Sequence, residues 1–555
     1  MATPEMRDIH VSAARRALTP RLRRKPGSWR ARAQAGGLVK KLVVIAAAAA
    51  TGLVGSVVSV SEAAAAPDGA TVDSITWSPC PDNDPLMGTL LKGLECGAFQ
   101  VPLDHSQPDG QKITLQLTRA KHTSPDDQYQ GIVLLNRGQW PGGIGRDLPT
   151  RYAKGTTGLP TEVGSTYDWI GFDPRGVGAS EPMVTCDPNF IFPGHAQLDP
   201  VPQTAADEQA WVSMAREYAE SCGSKYGDTL KYFSTKDTAL DLDLIRQALG
   251  QERLNYLGYD YGTYIGSVYA SMFPHRVRRM VLDSIVRPNG AWYQDNLDRN
   301  VAAEKRAKIF FAWMAKYDSV YHMGTTEAEV EAGYYQGMAK VREAPIDGKI
   351  GPAEYHDVFE VVAYRNYTWL NRAKILSDWV VRNDPTALKI NFSEPGYPHL
   401  NRQAMVNANQ CLDASWPLDW ERWHNDYSQQ YSAGNTFMTW SNAWYNAPCM
   451  FWPVPAGQPQ QVGSRIVNIL LVQPENDPAN GVGGAYEVHE LFPNSRLILE
   501  LGGNNHGASL SANGNACLNS YVSAYLKDGT RPGSPGEVDA YCQANPDPVP
   551  PAPAP

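Results

Sequence analysis

The sequence predicts an α/β fold with a mostly parallel sheet and helices on both faces, and three features of the 555-residue chain lead to this prediction. Short apolar runs with the length of buried strands recur along it, at 112–120, 131–136, 167–173, 253–259, 278–286, 465–473 and 496–501. Between them, 238–250 and 262–273 carry apolar residues at helical spacing. Buried strands that alternate with helices are typical of a parallel sheet.

The third feature is a break in this rhythm after Val286. The block from 287 to 440 is rich in Trp, Tyr, Ala, Glu and Lys at helical spacing, and strands resume only afterwards. A helical block inserted late in a strand series predicts a cap over the sheet. We divide the chain into a leader (1–66), a first part of the core (67–286), the helical cap (287–440), a second part of the core (441–545) and a proline-rich tail (546–555).

Residues 1–66 have the composition of a secretory signal peptide. The first 41 residues carry eleven Lys/Arg and two Asp/Glu, an apolar run follows at 42–60, and alanines at 63–66 offer a cleavage site. The same apolar run is also long enough to serve as a membrane anchor. The alanine-rich end favours cleavage, and therefore a secreted protein with no stable membrane insertion.

The charge of the chain argues against one class of partner. The formal net charge is −9 for the whole chain. Because the leader (1–66) is basic, the rest of the chain is more acidic than this value. Because nucleic-acid binding depends on Lys and Arg that neutralise phosphates, we do not expect a nucleic-acid partner. We expect a small-molecule or peptide substrate and, since a disulfide-bonded chain with its own cap needs no partner, a monomer.

Eight cysteines follow the leader, and an even number in an exported chain predicts disulfide bonds. Their order along the chain suggests bonds between neighbours, namely Cys80–Cys96, Cys186–Cys222, Cys411–Cys449 and Cys517–Cys542. Metal binding is the alternative, but the sequence contains no C-x-x-C pair and no cluster of histidines. We therefore expect neither a metal site nor a cofactor.

Three loops that follow predicted strands carry polar residues with catalytic potential. Ligands of open α/β sheets bind at the carboxyl ends of the strands, and Asp260, Asp477 and His506 each come shortly after such a strand. Asp260 lies at the tip of a strand–turn–helix flanked by Gly258 and Gly262, which has the form of a nucleophile elbow. Nucleophile position, acid and histidine thus come in the chain order of the α/β-hydrolases.

Each of these residues also has a purely structural interpretation. An aspartate in a strand-to-helix turn, such as Asp260, often only caps the helix. Asp477 precedes a proline, which is common turn chemistry, and a single histidine is usually structural. Glu475 and His489 compete as acid and base, but they fit the loop positions less well. The combination of three matching loops favours the catalytic hypothesis.

Longer stretches of the chain resemble one family. They are LECGAFQVPLDHSQP (94–108), YDWIGFDPRGVGASEPMVTC (167–186), FSTKDTALDLDLIRQALG (233–250), NANQCLDASWP (407–417), APCMFWP (447–453), LLVQPENDPANG (470–481) and YLKDGTRPGSPGEVDAYC (525–542). These stretches resemble the secreted actinobacterial tripeptidyl aminopeptidases, α/β-hydrolases of the proline-iminopeptidase class with a C-terminal domain typical of that group. The resemblance implies the α/β-hydrolase fold, and it supports the four disulfide pairs suggested above.

The departures from that family lie at the site itself. The elbow serine is replaced by Asp260, and the glycine-rich oxyanion loop, usually NPGGPGGSG, is NRGQWPGGIG at 136–145. We assign Gly138, Gln139 and Trp140 of this loop, together with Tyr261 beside the elbow, to the oxyanion hole or the pocket. The activity of the family therefore does not carry over without change.

An aspartate at the elbow changes the chemistry that is available. A carboxylate that attacks an amide must form an anhydride, which is uphill, whereas its attack on an epoxide or alkyl halide gives an ordinary ester. Water activated by His506, itself oriented by Asp477, would then hydrolyse that ester, with backbone N–H groups of the elbow stabilising the oxyanion. Epoxide hydrolases and haloalkane dehalogenases carry an aspartate at the same point.

Three hypotheses for the function follow. The first is an exported hydrolase that uses Asp260 as a covalent nucleophile on an epoxide-like or other alkyl electrophile. The second is an exo-acting aminopeptidase, of the tripeptidyl or prolyl type, with a variant nucleophile. The third is a non-catalytic binding protein derived from that family. Epoxide opening also needs an acid, and the cap offers several tyrosines, among them Tyr293, Tyr334, Tyr335, Tyr364 and Tyr367.

Overall fold

The computed structural model describes residues 74–552, apart from residues 140, 154, 512 and 534. The predicted signal peptide at 1–66 and the predicted pocket residue Trp140 lie outside the described residues. Within this part of the chain, no helix has both the length and the apolar character needed to cross a membrane. The described backbone forms one ten-stranded sheet and sixteen α-helices.

The sheet is mixed, and its central strands are parallel. The strands are β1 (Thr76–Pro79), β2 (Glu95–Pro102), β3 (Lys112–Ala120), β4 (Ile132–Asn136), β5 (Asp168–Asp173), β6 (Leu254–Tyr259), β7 (Val277–Asp283), β8 (Ile469–Pro474), β9 (Arg496–Leu501) and β10 (Ala540–Gln543). Their order is β1-β2-β3-β5-β4-β6-β7-β8-β9-β10. β1, β2, β3 and β5 pair antiparallel in turn, and the other neighbours pair parallel. The predicted α/β class is confirmed.

The register of the parallel strands aligns the loops that carry the candidate residues. Gly258 near the end of β6 lies opposite Asn136 of β4 and opposite Leu282 of β7. Leu282 in turn lies opposite Leu471 of β8. The chain leaves β4 to form β5 on one side and β6 on the other, so the topological switch lies between β4 and β6. A crevice at such a switch is where open sheets bind ligands.

All seven predicted strands are present, with some ends shifted. Every residue of β4 and β8 is buried, as expected for parallel strands covered on both faces. The run predicted at 278–286 ends at Asp283, because Ser284 has a φ of 63° and turns the chain. The edge strands β1 and β10 and their neighbour along the chain, β2, escaped prediction. The residues of all three are partly exposed and form no continuous apolar run.

The helices fall into three groups along the chain. Before the cap lie α1 (Pro149–Ala153), α2 (Thr161–Gly164), α3 (Ala205–Tyr226), α4 (Thr235–Ala248) and α5 (Tyr261–Met272). Between β7 and β8 lie α6 (Tyr293–Lys316), α7 (Asp318–Tyr321), α8 (Glu327–Glu343), α9 (Pro352–Tyr364), α10 (Trp369–Arg382), α11 (Thr386–Asn391), α12 (Tyr397–Asp413), α13 (Trp420–Ser432) and α14 (Thr439–Asn446). The last two are α15 (Val482–Leu491) and α16 (Ala516–Asp528). A helical insertion late in the sheet is thus confirmed.

The inserted helices divide between two apolar cores. Phe310, Trp313 and Trp369 belong to a core that is separate from the sheet and is built only from the inserted block. Ala404 and Met405 of α12 belong instead to the core that covers the sheet. Part of the inserted block is therefore an extension of the main domain, and the remainder forms a cap with its own interior.

Disulfide bonds link the cysteines in the predicted pairs. The bonds are Cys80–Cys96, Cys186–Cys222, Cys411–Cys449 and Cys517–Cys542. Cys411–Cys449 joins the end of α12 to the segment after α14, and Cys517–Cys542 joins α16 to β10. Closing such loops stabilises a fold mainly by restricting the unfolded chain.

The proline-rich tail contacts the cap. The indole Nε1–H of Trp313 in α6 donates to the carbonyl oxygen of Pro548 at 2.9 Å. Pro550 in the same tail is buried. The tail thus extends from the last strand of the sheet to the cap.

Candidate active site

The elbow between β6 and α5 presents Asp260 in a sharp turn. Asp260 has φ 51° and ψ −126°, a left-handed conformation that costs free energy for a non-glycine residue. The flanking glycines are required by space, because a Cβ on Gly258 would lie 2.6 Å from the carbonyl oxygen of Gly262. The side chain of Asp260 makes no capping hydrogen bond to α5, so the interpretation of this residue as a helix cap is wrong.

Asp260, Asp477 and His506 lie together, each less than 10% exposed. The imidazole Nδ1 of His506 is 3.0 Å from both carboxylate oxygens of Asp477. Its Nε2 is 3.5 Å from Oδ1 of Asp260. Because an ionised carboxylate only accepts hydrogen bonds, Nδ1 carries a proton, and Nε2 is the nitrogen available to the site.

Burial and charge act against each other on the acid and the histidine. Burial raises the pKa of Asp477, but the charge and hydrogen bond of His506 outweigh it and hold the pKa below its ordinary value. Burial lowers the pKa of His506, but the charges of Asp477 and Asp260 outweigh it, so the net shift is upward. The three groups therefore form one coupled electrostatic unit.

The loop that carries His506 is held by the end of β7. The carboxylate of the buried Asp283 accepts hydrogen bonds from the N–H of Ala508 at 3.1 Å and from the N–H of Ser509 at 2.7 Å. The hydroxyl of Ser284 accepts from the N–H of Gly507 at 2.7 Å. These hydrogen bonds hold the loop that carries His506 against the end of β7.

Asn480 is a site residue that the sequence analysis missed. Its side-chain Nδ2 donates to Oδ1 of Asp260 at 3.0 Å and to the carbonyl oxygen of Ser284 at 2.8 Å. Its backbone N–H donates to Oδ1 of Asp477 at 3.0 Å. The position of Asn480 three residues after Asp477, in the same loop, was the available indication.

The predicted oxyanion loop packs directly on the elbow. Gly138 has φ +68°, and a Cβ there would lie 2.2 Å from the carbonyl oxygen of Tyr259 and 2.5 Å from Cβ of Asp260. Gln139 follows with φ 54°. The N–H of Gly138 donates to the side chain of Asn136 at 2.9 Å.

Tyr261 does not place its side chain in the site. Its ring is buried in the core, and its hydroxyl is 2.6 Å from the hydroxyl of Thr235. An apolar ring at the start of α5 packs inward, so the predicted pocket side chain is wrong. The part of Tyr261 at the elbow is its backbone N–H, which belongs to the first turn of the helix and has no acceptor within it.

The competing acid and base lie elsewhere. Glu475 accepts a hydrogen bond from the N–H of Gly502 at 2.7 Å. His489 is on α15, with Nδ1 2.6 Å from the hydroxyl of Ser495 and Nε2 2.9 Å from the carbonyl oxygen of Gly536. Both side chains hold loops together.

The cap contributes Tyr364, the last residue of α9. Its carbonyl oxygen accepts a hydrogen bond from the N–H of His506 at 3.0 Å, and its ring lies edge-on to the imidazole with 5.9 Å between centroids. Burial and nearby carboxylates, Asp260 among them, raise the pKa of Tyr364, so its hydroxyl stays protonated. No other tyrosine named above as a candidate acid contacts His506. The hydroxyls of Tyr293, Tyr334 and Tyr335 bond to Asp426, His356 and Thr436, and Tyr367 is 54% exposed.

Tyr364 also lines a cavity of about 420 Å³ between the cap helices and the segment before α3. Its walls combine aromatic side chains with charged ones, among them Trp211, Trp444, Asp357, Glu360, Arg372 and Arg402. Within the described residues, no group of three or more His, Cys, Asp or Glu side chains is arranged to hold a metal ion. The cavity can take a ligand that is part apolar and part polar.

Comparisons with known proteins give matches over most of the chain. A family model described as alpha/beta hydrolase fold matches residues 136–334, and one described as TAP-like protein matches residues 435–542. The serine protease Hip1 of Mycobacterium tuberculosis is 29% identical over 486 residues, 83% of this chain and 90% of that protein. The proline iminopeptidase structure of Mycobacterium smegmatis covers 78% of this chain and 98% of its own, with 12% identity and a TM-score of 0.31.

The tripeptidyl aminopeptidase of Streptomyces lividans has a stronger match. It is 39% identical over 464 residues, which are 82% of this chain and 84% of that protein. A similarity of this extent spans the elbow, the inserted helices and the C-terminal part alike. The chain belongs to the tripeptidyl aminopeptidase family of α/β-hydrolases.

Proposed function

We propose that this protein is an exported hydrolase that uses Asp260 as a covalent nucleophile on an epoxide-like or other alkyl electrophile. The observation that carries the proposal is the 3.5 Å separation of Asp260 Oδ1 from His506 Nε2, while Nδ1 of the same ring is held by Asp477. A nucleophile, a base and an orienting acid are thus all retained at an elbow whose nucleophile is a carboxylate. Four disulfides support export.

The first step is attack by a carboxylate oxygen of Asp260 on a saturated carbon of the epoxide. A C–O bond of the ring breaks, and its electron pair stays on the departing oxygen. Tyr364 supplies the proton for this oxygen, because its hydroxyl is protonated and its ring stands beside His506. The product of this step is an alkyl ester on Asp260 and a tyrosinate, which later recovers a proton from solvent.

The second step is hydrolysis of that ester. His506 removes a proton from water, which adds to the ester carbonyl carbon. The N–H of Tyr261 is available at the elbow to stabilise the resulting oxyanion. Collapse of the intermediate releases a diol, with the proton on His506 passing to the leaving oxygen. Asp260 is left as a carboxylic acid, and its proton goes to solvent, which returns a proton to the tyrosinate. One epoxide and one water are consumed for each diol formed.

A peptide bond is a poor substrate for the same residues. Attack on an amide by Asp260 would produce an anhydride and expel an amine, which is uphill. In the serine enzymes the base must deprotonate the nucleophile, whereas a carboxylate is already ionised and requires no such step. The same His506 is therefore free to act on water.

A second candidate, binding of peptide N-termini, is favoured by two carboxylates in the cavity. Asp357 and Glu360 lie one turn apart on α9 and line the cavity, and neither forms a hydrogen bond or ion pair with any described residue. Desolvation by the cavity walls raises the pKa of each. For Asp357 the neighbouring Glu360 adds to the shift, and for Glu360 the charges of Arg402 and Arg299 act against it. A protonated amine would neutralise this pair. The named activity of the Streptomyces relative makes a peptide amine a reasonable occupant.

One experiment separates the two candidates. The purified protein is incubated with a panel of terminal epoxides and with tripeptidyl arylamides, and the intact mass is followed in His506→Gln, which should trap the ester. We expect epoxide turnover by the parent protein and an adduct on Asp260 in the variant. Arylamide cleavage that appears in Asp260→Ser would support peptide binding, and epoxide turnover that persists in Asp260→Ala would refute the covalent role.

A further inference from the structure

Asn480 lies in the loop that carries Asp477, and its side-chain amide donates a hydrogen bond to the carboxylate of Asp260. One of its two N–H groups points to Oδ1 of Asp260 at 3.0 Å, and the other to the carbonyl oxygen of Ser284 at 2.8 Å. Both contacts involve the same nitrogen, so the amide is held between the elbow and the end of β7.

The orientation of this amide follows from its partners. The carbonyl oxygen of Ser284 can only accept, so the group facing it must be the NH₂ of Asn480. The oxygen of the amide, Oδ1, is buried without a hydrogen-bond partner in the described part of the protein. An unsatisfied buried acceptor is unfavourable for stability. The amide of Asn480 is therefore oriented so that its NH₂ donates to Asp260, although its own oxygen is left without a hydrogen bond.

The same residue connects the nucleophile to the acid. The backbone N–H of Asn480 donates to Oδ1 of Asp477 at 3.0 Å, and that carboxylate orients His506. The loop thus orients Asp477 through the backbone N–H of Asn480 and orients Asp260 through the side chain of Asn480. The distance between Asp260 and His506 is fixed from both ends by residues only three positions apart.

We infer that Asn480 is a positioning residue that holds the Asp260 carboxylate in its reacting orientation. The inference rests on the proposed function of Asp260 and adds a role for a residue outside the triad. A carboxylate rotates freely about its Cβ–Cγ bond unless its oxygens are bound, and rapid attack requires alignment with the carbon of the electrophile. The hydrogen bond from Asn480 holds Oδ1 on the histidine side before the attack.

The test measures formation of the ester apart from its hydrolysis. In a His506→Gln background, the adduct with styrene oxide is followed by intact mass against time. Loss of a hydrogen bond to a charged group predicts that adding Asn480→Ala slows ester formation by about ten- to a hundredfold. Asn480→Leu, which is close in shape but has no group that can donate, should slow it as well, and it serves if the alanine variant folds poorly.

Asn515 provides a matched control. It is also buried, and its Nδ2 donates to a carboxylate, Glu500, at 2.8 Å and to the carbonyl oxygen of Gln543 at 2.6 Å. Asn515→Ala in the same background should leave the rate of ester formation unchanged. Ester formation in Asn480→Ala at the rate of the background would overturn the positioning role.

The failure of the proposed function has a different signature. If His506→Gln alone forms no ester with any epoxide, the covalent chemistry is refuted, and a crystal structure of Asn480→Ala then decides the positioning role. An Asp260 carboxylate turned away from His506 in that structure supports it, and an unchanged orientation overturns it.

Discussion

The N–H of His506 donates to the carbonyl oxygen of Tyr364 across 3.0 Å, so the catalytic loop of the sheet is bonded directly to the last residue of a cap helix. Because this bond uses only backbone atoms, a substitution of either side chain leaves it possible. The side chains of the same two residues also meet edge-on, with 5.9 Å between ring centroids. Movement of α9 would therefore displace the imidazole and the phenol together.

The first prediction concerns the hydroxyl of Tyr364. Tyr364→Phe should keep the fold and the ring contact but remove the proton donor for epoxide opening, so kcat/KM should fall by about a hundredfold, within the usual range for a general acid. The rate of ester formation on Asp260 should fall in parallel. Tyr335→Phe, which removes a part-buried hydroxyl bonded to Thr436, is the control and should retain activity.

The second prediction concerns pH. Burial lowers the pKa of His506, but the opposing charges of Asp477 and Asp260 raise it above the ordinary 6.5. Ester hydrolysis needs the neutral imidazole, so kcat should rise with pH through this raised pKa and be lost below it. A pH profile whose midpoint lies at or below 6.5 would contradict this prediction. So would a His506→Gln variant whose kcat still rises with pH in the same way.

The same shift has the opposite consequence for stability. Since the folded pKa of His506 exceeds the unfolded one, its contribution to the free energy of unfolding is fully present below about pH 6.5 and is lost as pH rises through the folded pKa. Urea titrations of the parent protein and of His506→Gln at several pH values should converge towards high pH. Activity and the stabilisation from this residue thus change in opposite directions.

The sequence alone predicted the site residues whose positions follow from the order of the strands. Asp260, Asp477 and His506 lie at aligned carboxyl ends of parallel strands, so their proximity could be inferred from the strand pattern alone. Tyr364 could not be selected, because the cap contains many tyrosines and only the packing of α9 on the His506 loop distinguishes it. The inward direction of Tyr261 likewise depends on Thr235, a partner that no local pattern indicates.

The third prediction concerns the contact between the oxyanion loop and the elbow. A Cβ at Gly138 would lie 2.2 Å from the carbonyl oxygen of Tyr259, so Gly138→Ala must shift the elbow and should abolish most activity. Gly250 is a close control, because its φ of +66° matches the +68° of Gly138 while nothing lies within 4 Å of its Cβ position. Gly250→Ala should cost only the backbone strain, about 1–2 kcal/mol, and retain activity.

The fourth prediction concerns Asp283, which supports the loop that carries His506. Its carboxylate accepts from the N–H groups of Ala508 and Ser509, so Asp283→Asn would turn an NH₂ towards at least one donor. We expect the free energy of unfolding in urea to fall by about 3 kcal/mol, as for the loss of a buried hydrogen bond to a charged group. Because the loop would then shift His506 away from Asp260, kcat should fall as well.

Asp298→Asn, at a half-exposed ion pair with Arg287, should change stability by less than about 1 kcal/mol. Equal losses in the two variants, or an Asp283→Asn protein with unchanged kcat, would show that Asp283 does not hold the catalytic loop.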